Sequence, residues 1–274
     1  MKRITFFLIL ALAAITAQAQ LYIGLHGGVT LPTGYYGESS MCEHEWMLCE
    51  GHQKKAGAGT GFAAGIDISF AMPFYSNLEV LLQADYLQSN PSKDVQEYYE
   101  TVFPRRYANF DDCSYTLPKY RHIPILAGVR YSYPMGRLFD LYGEAMCGVN
   151  IRMISDLSQR GTTTDYTTES GRHYDEFSFE EHYSYDNSLT FALQLGVGIL
   201  IKSCVTVGAN FCWLGSAPLT GTKAENNTYT VAGQTSTNPN RWDITPYDIN
   251  PTMVTVKLGF RLPVWSGAGR VQDF

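Results

Sequence analysis

The sequence has no apolar run of the ~20 residues that a helix needs to cross a bilayer. Its longest, Ile4–Ile15, stops well short of that, which excludes a bundle of transmembrane helices. Basic charge is scarce as well, with 20 Lys and Arg against 26 Asp and Glu. No basic patch is left to grip a phosphate backbone, so nucleic acid is excluded as a partner. The spacing of the six cysteines matches no closed zinc motif. Helical periodicity is also missing: apolar residues recur every second position, not every third or fourth.

At the N-terminus, Lys2 and Arg3 precede the apolar run, and Ala17-Gln18-Ala19 places small residues where a signal peptidase cuts. Residues 1–19 therefore read as a secretory signal peptide. No cysteine follows the cleavage site, so no lipoprotein anchor is indicated, and the mature chain begins at Gln20. Without the leader, 18 basic residues stand against 26 acidic ones.

From residue 20 onward, period-2 alternation marks eight segments: 21–31, 60–70, 78–87, 120–131, 139–152, 189–201, 205–214 and 253–262. In the second, Phe62, Ala64, Ile66, Ile68 and Phe70 share one face, while Gly61, Ala63, Gly65, Asp67 and Ser69 share the other. The connections alternate in length. Ala71–Asn77, Ser132–Leu138 and Lys202–Cys204 are short, whereas Pro32–Gly59, Gln88–Lys119, Met153–Ser188 and Gly215–Thr252 are long. Such long connections are uncommon in a compact domain but usual on the outer side of an up-and-down membrane barrel. The mean hydropathy of −0.14 is no objection, because alternation averages away a lipid-facing wall.

Aromatics sort by height along the apolar faces. Phe70, Tyr131, Phe139 and Phe260 lie near the short turns, and Phe62, Tyr86, Phe191, Phe211 and Trp213 near the long loops. Two such girdles are expected at the two membrane interfaces. Phe62 to Phe70 spans about 26 Å at ~3.3 Å per residue, or ~20 Å of height once the strand tilts. A soluble β-sandwich has no reason to sort rings in this way. The fold expected is an all-β, eight-stranded antiparallel up-and-down transmembrane β-barrel over residues 20–262, with a short tail at 263–274.

The run Tyr120-Arg121-His122-Ile123-Pro124-Ile125-Leu126, followed after a turn by Leu141-Tyr142-Gly143-Glu144 and Gly148, resembles the PorT-like outer-membrane β-barrel domain family. That family is itself similar to the OmpA and OmpX transmembrane barrels. The resemblance implies fold and location, the outer membrane, reached by export across the inner one. It assigns no role, because members of such families differ in role.

On the polar faces, Asp67, Glu79, Asp85 and Glu144 stand against Arg130, Arg152, Lys257 and Arg261, with His26, Gln83 and Gln194 near them. A proton or ion path is one reading. The equal numbers of acids and bases favour a paired interior network, since unpaired buried charge is costly. The triplet His182-Tyr183-Ser184, with Glu180 and Glu181 before it, offers a base and a nucleophile. It is similar to the His-x-Ser arrangement of outer-membrane lipid A deacylases, but the rest of that motif is absent and no catalytic residue is assigned. Cys42, Glu43, His44, Glu45, Cys49 and His52 crowd the first long loop. In an exported loop a Cys42–Cys49 disulfide is expected before a metal site, with Cys113 as the competing partner.

Phe177-Ser178-Phe179 and Tyr183-Ser184-Tyr185 alternate, so the fifth and sixth barrel strands are expected to run on past the membrane as a ribbon. Its edge could add a strand or its rings could meet a glycan. The expected function is that of a non-enzymatic integral outer-membrane protein, structural or surface-binding, without cofactor or metal. The alternatives are an accessory subunit of a secretion or envelope machine and a lipid A-modifying enzyme. The expected partners are outer-membrane lipid and lipopolysaccharide, with a surface ligand or an envelope protein. The chain is expected to be a monomer.

Overall fold

The computed structural model describes residues 20–38, 56–72, 75–102, 110–168, 171–244 and 246–265. Its strands, in chain order, are β1 (Gln20–Pro32), β2 (Ala58–Met72), β3 (Tyr75–Pro91), β4 (Asp112–Thr116), β5 (Tyr120–Pro134), β6 (Phe139–Ile154), β7 (Leu157–Thr167) and β8 (His173–Tyr185). They continue with β9 (Ser188–Ile201), β10 (Val205–Trp213), β11 (Ala217–Leu219), β12 (Gly221–Val231), β13 (Gln234–Asp243), β14 (Tyr247–Ile249) and β15 (Thr252–Trp265).

Eight of these close into one barrel in the order β1-β15-β10-β9-β6-β5-β3-β2, with β2 paired back to β1. Every pairing in it is antiparallel. The period-2 segments of the sequence are these eight strands, because alternation between a lumen and an outer wall is what produces that period. Closure leaves no barrel edge unpaired. Among the described residues, no helix is long and apolar enough to cross a membrane.

The outer wall is apolar. Leu25, Leu195, Val197 and Leu258 are each more than 60 % exposed. Toward the turns the wall carries Tyr131, Tyr133, Phe139 and Phe260, and toward the other end Phe62, Phe191 and Phe211. Neighbouring rings touch there, Phe62 with Tyr86 at 5.8 Å and Phe191 with Trp213 at 6.3 Å between centroids.

The long connections are more structured than a ribbon. β7 and β8 do carry β6 and β9 onward, but β12, β13 and β4 join them in a five-stranded sheet ordered β13-β12-β8-β7-β4. β11 and β14 form a separate pair. A short helix, Lys93–Glu97, capped by the Ser92 hydroxyl at Val95 N, leads into a π-helical turn, Tyr98–Val102. The buried core runs from the loop-side lumen into this head. It includes Tyr36, Tyr120 and Leu126 below and Tyr99, Phe179 and Tyr183 above.

Candidate functional site: a filled lumen beneath an aromatic sheet

Inward-facing side chains fill the barrel in layers. Toward the turns, Arg130 donates from Nε and Nη2 to Glu144 Oε2 at 3.1 and 2.8 Å. Arg261 Nη2 donates to Glu79 Oε1 at 2.8 Å, and Arg130 Nη1 lies 3.8 Å from the other Glu79 oxygen. Each guanidinium also lies over a ring: Arg130 4.6 Å from the centroid of Tyr142, and Arg261 4.0 Å from that of Tyr22.

A second layer centres on Asp85. It accepts from Lys257 Nζ at 2.5 Å and from Gln83 Nε2 at 2.6 Å, and its other oxygen meets His26 Nε2 at 2.5 Å. The remaining imidazole nitrogen lies 3.3 Å from Asp67 Oδ2. Small residues make room for these crossings. A Cβ on Gly65 would collide with the Asp85 carboxylate and His26, and one on Gly198 with the Tyr142 ring. Gln194 bridges from Glu144 at 3.2 Å to the Cys212 thiol at 3.4 Å.

Seven of the eight charged residues singled out in the sequence thus meet in the lumen: Asp67, Glu79, Asp85, Arg130, Glu144, Lys257 and Arg261. Arg152 does not. It lies at the loop end of β6, where Nη1 and Nη2 donate to the carbonyls of Ala217 and Pro218 at 3.1 and 2.9 Å. Among the described residues, the four acids meet Arg130, Lys257, Arg261 and His26, while Arg152 is buried at the loop end of the same barrel. Alternation gave the side to which Arg152 points, but not its height.

The loop-side mouth is closed. Tyr36, in a 3-10 turn over Gly34–Tyr36, is fully buried, and its hydroxyl lies 2.9 Å from His122 Nε2. Burial pushes the Tyr36 phenol well above its ordinary pKa. Asn150 sits between His122 Nδ1 at 3.3 Å, Thr190 Oγ1 at 3.2 Å and the Leu214 carbonyl at 3.2 Å. The Tyr120 hydroxyl donates to the Ala56 carbonyl. His122 carries an inward parity in the sequence, but nothing there points to Tyr36 as its partner.

One face of the head sheet is aromatic. Tyr166 and Phe177 stack at 4.8 Å and 18°, Phe177 and Tyr229 at 5.8 Å and 19°, Tyr174 and Tyr229 at 5.2 Å and 26°. Asp165 has a left-handed φ of 55°, which breaks the alternation of β7 and turns Tyr166 toward this face. Nearer the barrel, Lys223 is buried. It lies 3.1 Å from Glu181 and over the rings of Tyr183 and Trp242 at 5.1 and 5.2 Å. The opposite face is polar, with hydroxyl pairs Thr228–Thr237 and Thr230–Thr235 at 3.1 Å each.

His182 lies on that polar face with Nε2 3.2 Å from Asp156 Oδ2, both side chains about half exposed. The imidazole is engaged by Asp156 rather than by Ser184. Cys42, Glu43, His44, Glu45, Cys49 and His52 lie outside the described residues, and the Cys42–Cys49 pairing with them. Among the described residues, no group of three His, Cys, Asp or Glu side chains could hold a metal. Cys113, Cys147, Cys204 and Cys212 are free thiols. Burial, with Asp112 beside it, holds the Cys113 thiol above its ordinary pKa.

No family model matches the chain, and no curated protein is similar to it. The PorT-like resemblance therefore stays with the motifs at Tyr120–Leu126 and Leu141–Glu144 with Gly148. Among solved structures, the chain is similar to the Neisserial surface protein A, NspA (11% identity over 89% of this chain and 96% of that one, TM-score 0.38). It is similar to the outer membrane protein OprG from Pseudomonas aeruginosa (14%, 91% and 100%, TM-score 0.38). It is also similar to Ail, the attachment invasion locus protein of Yersinia pestis (9%, 89% and 97%, TM-score 0.29). These likenesses are distant, and the functional reading rests on the chain's own geometry.

Proposed function

We propose that this chain is a non-enzymatic integral outer-membrane protein whose barrel anchors, and does not conduct, and whose working surface is the head sheet. The observation that carries this reading is the contrast between wall and lumen. Leu25, Leu195 and Leu258 are turned out on the wall while Asp85, Arg130 and Arg261 are buried inside. A water-soluble protein rarely exposes a continuous apolar belt, and where no described helix is long and apolar enough to span, the strands can cross a bilayer only as a closed barrel. With the lumen occupied by ion pairs, the part free to meet a partner is the head, where loops on a rigid scaffold commonly carry function. Outer-membrane lipid and lipopolysaccharide are the partners of the wall.

The test is membrane fractionation followed by protease shaving of intact cells. The protein should be recovered with the outer membrane, with cuts confined to the head and a resistant barrel core left behind. Recovery as a soluble periplasmic protein would overturn the reading. Stoichiometric co-isolation with a secretion assembly would instead favour the accessory-subunit role.

A further inference from the structure

β13 forms one end of the head sheet, and among the described residues no strand lies beyond it. All ten of its residues are exposed. The opposite edge, β4, has only five. A long exposed edge with both faces open is a template for another strand, so how β13 presents its backbone decides what can join it.

The hairpin fixes that presentation. β12 and β13 are joined by Ala232 and Gly233, with φ of 50° and 76°, and Val231 pairs with Gln234. Two central residues at positive φ make a type I′ turn, which closes on a hydrogen-bonded pair. From there the antiparallel ladder alternates. Gln234, Ser236, Asn238, Asn240 and Trp242 therefore turn their N–H and C=O groups toward β12. Thr235, Thr237, Pro239, Arg241 and Asp243 turn theirs away. The side chains agree: non-hydrogen-bonded pairs stand closest, and the hydroxyl contacts of Thr237 with Thr228 and Thr235 with Thr230 belong to that set.

Pro239 is the middle of the five outward positions. Having no N–H, it takes nothing from the ladder with β12, whereas a proline at Asn238 or Asn240 would remove a bond. We propose that Pro239 guards this edge against pairing with a second copy of the chain. The rest of the edge is self-complementary. An antiparallel pair centred on Pro239 would set Thr237 opposite Arg241 and Thr235 opposite Asp243, with no like charges opposed. Both donors at its centre would be missing, and two pyrrolidine rings would meet there. The strand addition considered from the sequence is thus obstructed at this edge, which leaves the faces of the sheet for binding.

The experiment compares wild type, Pro239→Thr, Asn238→Thr and the double variant Pro239→Thr/Thr237→Pro in detergent, by size-exclusion chromatography with light scattering. Heat-dependent gel mobility confirms a folded barrel in each. Wild type and Asn238→Thr should be monomers, and Pro239→Thr should add a dimer that grows with concentration. The double variant, with the proline moved to another outward position, should be monomeric again. A wild type already paired through β13, a folded Pro239→Thr protein that stays monomeric, or a dimer that survives Thr237→Pro would each overturn the proposal. None of these outcomes depends on which membrane holds the barrel.

Discussion

His26 sits between two carboxylates, Nε2 2.5 Å from Asp85 and Nδ1 3.3 Å from Asp67. The same Asp85 accepts from Lys257 at 2.5 Å, with both side chains under a tenth exposed. Removing the carboxylate leaves a buried ammonium and an imidazole facing each other without an anion between them. Asp85→Ala should therefore destabilise the barrel by about 3–5 kcal/mol, the usual cost of breaking a buried pair from one side. The measurement is the midpoint of urea unfolding in detergent, read by heat-dependent gel mobility. Glu176→Ala, on the exposed face of the head, is the control, and equal losses in the two variants would remove the network as a source of stability.

The lumen should not conduct. Eight strands enclose a space that side chains can fill, and here Arg130, Arg261, Glu79 and Tyr142 cross it in one layer while Lys257, Asp85 and His26 cross it in another. Deleting one member leaves the others in place, so Glu79→Ala is expected to loosen the barrel without opening a pore. Planar-bilayer recordings of both proteins should show no steady current. A stable porin-like conductance from the wild type would exclude the plugged lumen.

The head can be loosened without unfolding the barrel. A Cβ at Gly161 would run into the rings of Phe179 and Phe110, which are themselves packed edge to face at 5.3 Å. Gly161→Val forces these rings apart, at a cost of about 1–3 kcal/mol for overpacking. Limited proteolysis should then cut faster between Leu157 and Tyr185, while the heat-dependent gel shift is unchanged. Slower cutting, or loss of the gel shift at the same time, would contradict a head that folds around Gly161.

The barrel was legible in the sequence because each of its strands faces two different media, and that contrast writes a period of two. Phe62 to Phe70 and Leu189 to Ile201 show it plainly. β12 and β13 do not. Their residues are mostly Thr, Asn, Ser and Gln, both faces of β13 are wet, and the turn is Ala232-Gly233 rather than the Asn-Gly that announces a hairpin. β8 was half visible, through Phe177, Phe179, Tyr183 and Tyr185. In the lumen, parity told which side chains point inward but not which of them share a level. Parity alone therefore sets Arg152 with the other three bases and gives His26 no partner.

At Cys147 a lipid-facing wall and a water-facing one respond differently to charge. Cys147 faces outward at mid-strand in β6, paired with Ala127 on one side and Leu193 on the other. Rings flank this level above and below, Phe191 toward the loops and Tyr131 toward the turns. On a lipid-facing wall, an arginine near the bilayer midplane costs about 2–4 kcal/mol, falling to about 0–1 near the interfaces. Cys147→Arg should therefore destabilise the protein in phospholipid vesicles by about that larger amount, and Tyr133→Arg, at the turn-side girdle, by the smaller one. On a wall bathed in water, both substitutions would place a charge on an open surface at almost no cost. Equilibrium unfolding in vesicles separates the two cases: a clear gap between Cys147→Arg and Tyr133→Arg is expected, and equal, negligible losses would refute the bilayer-facing wall.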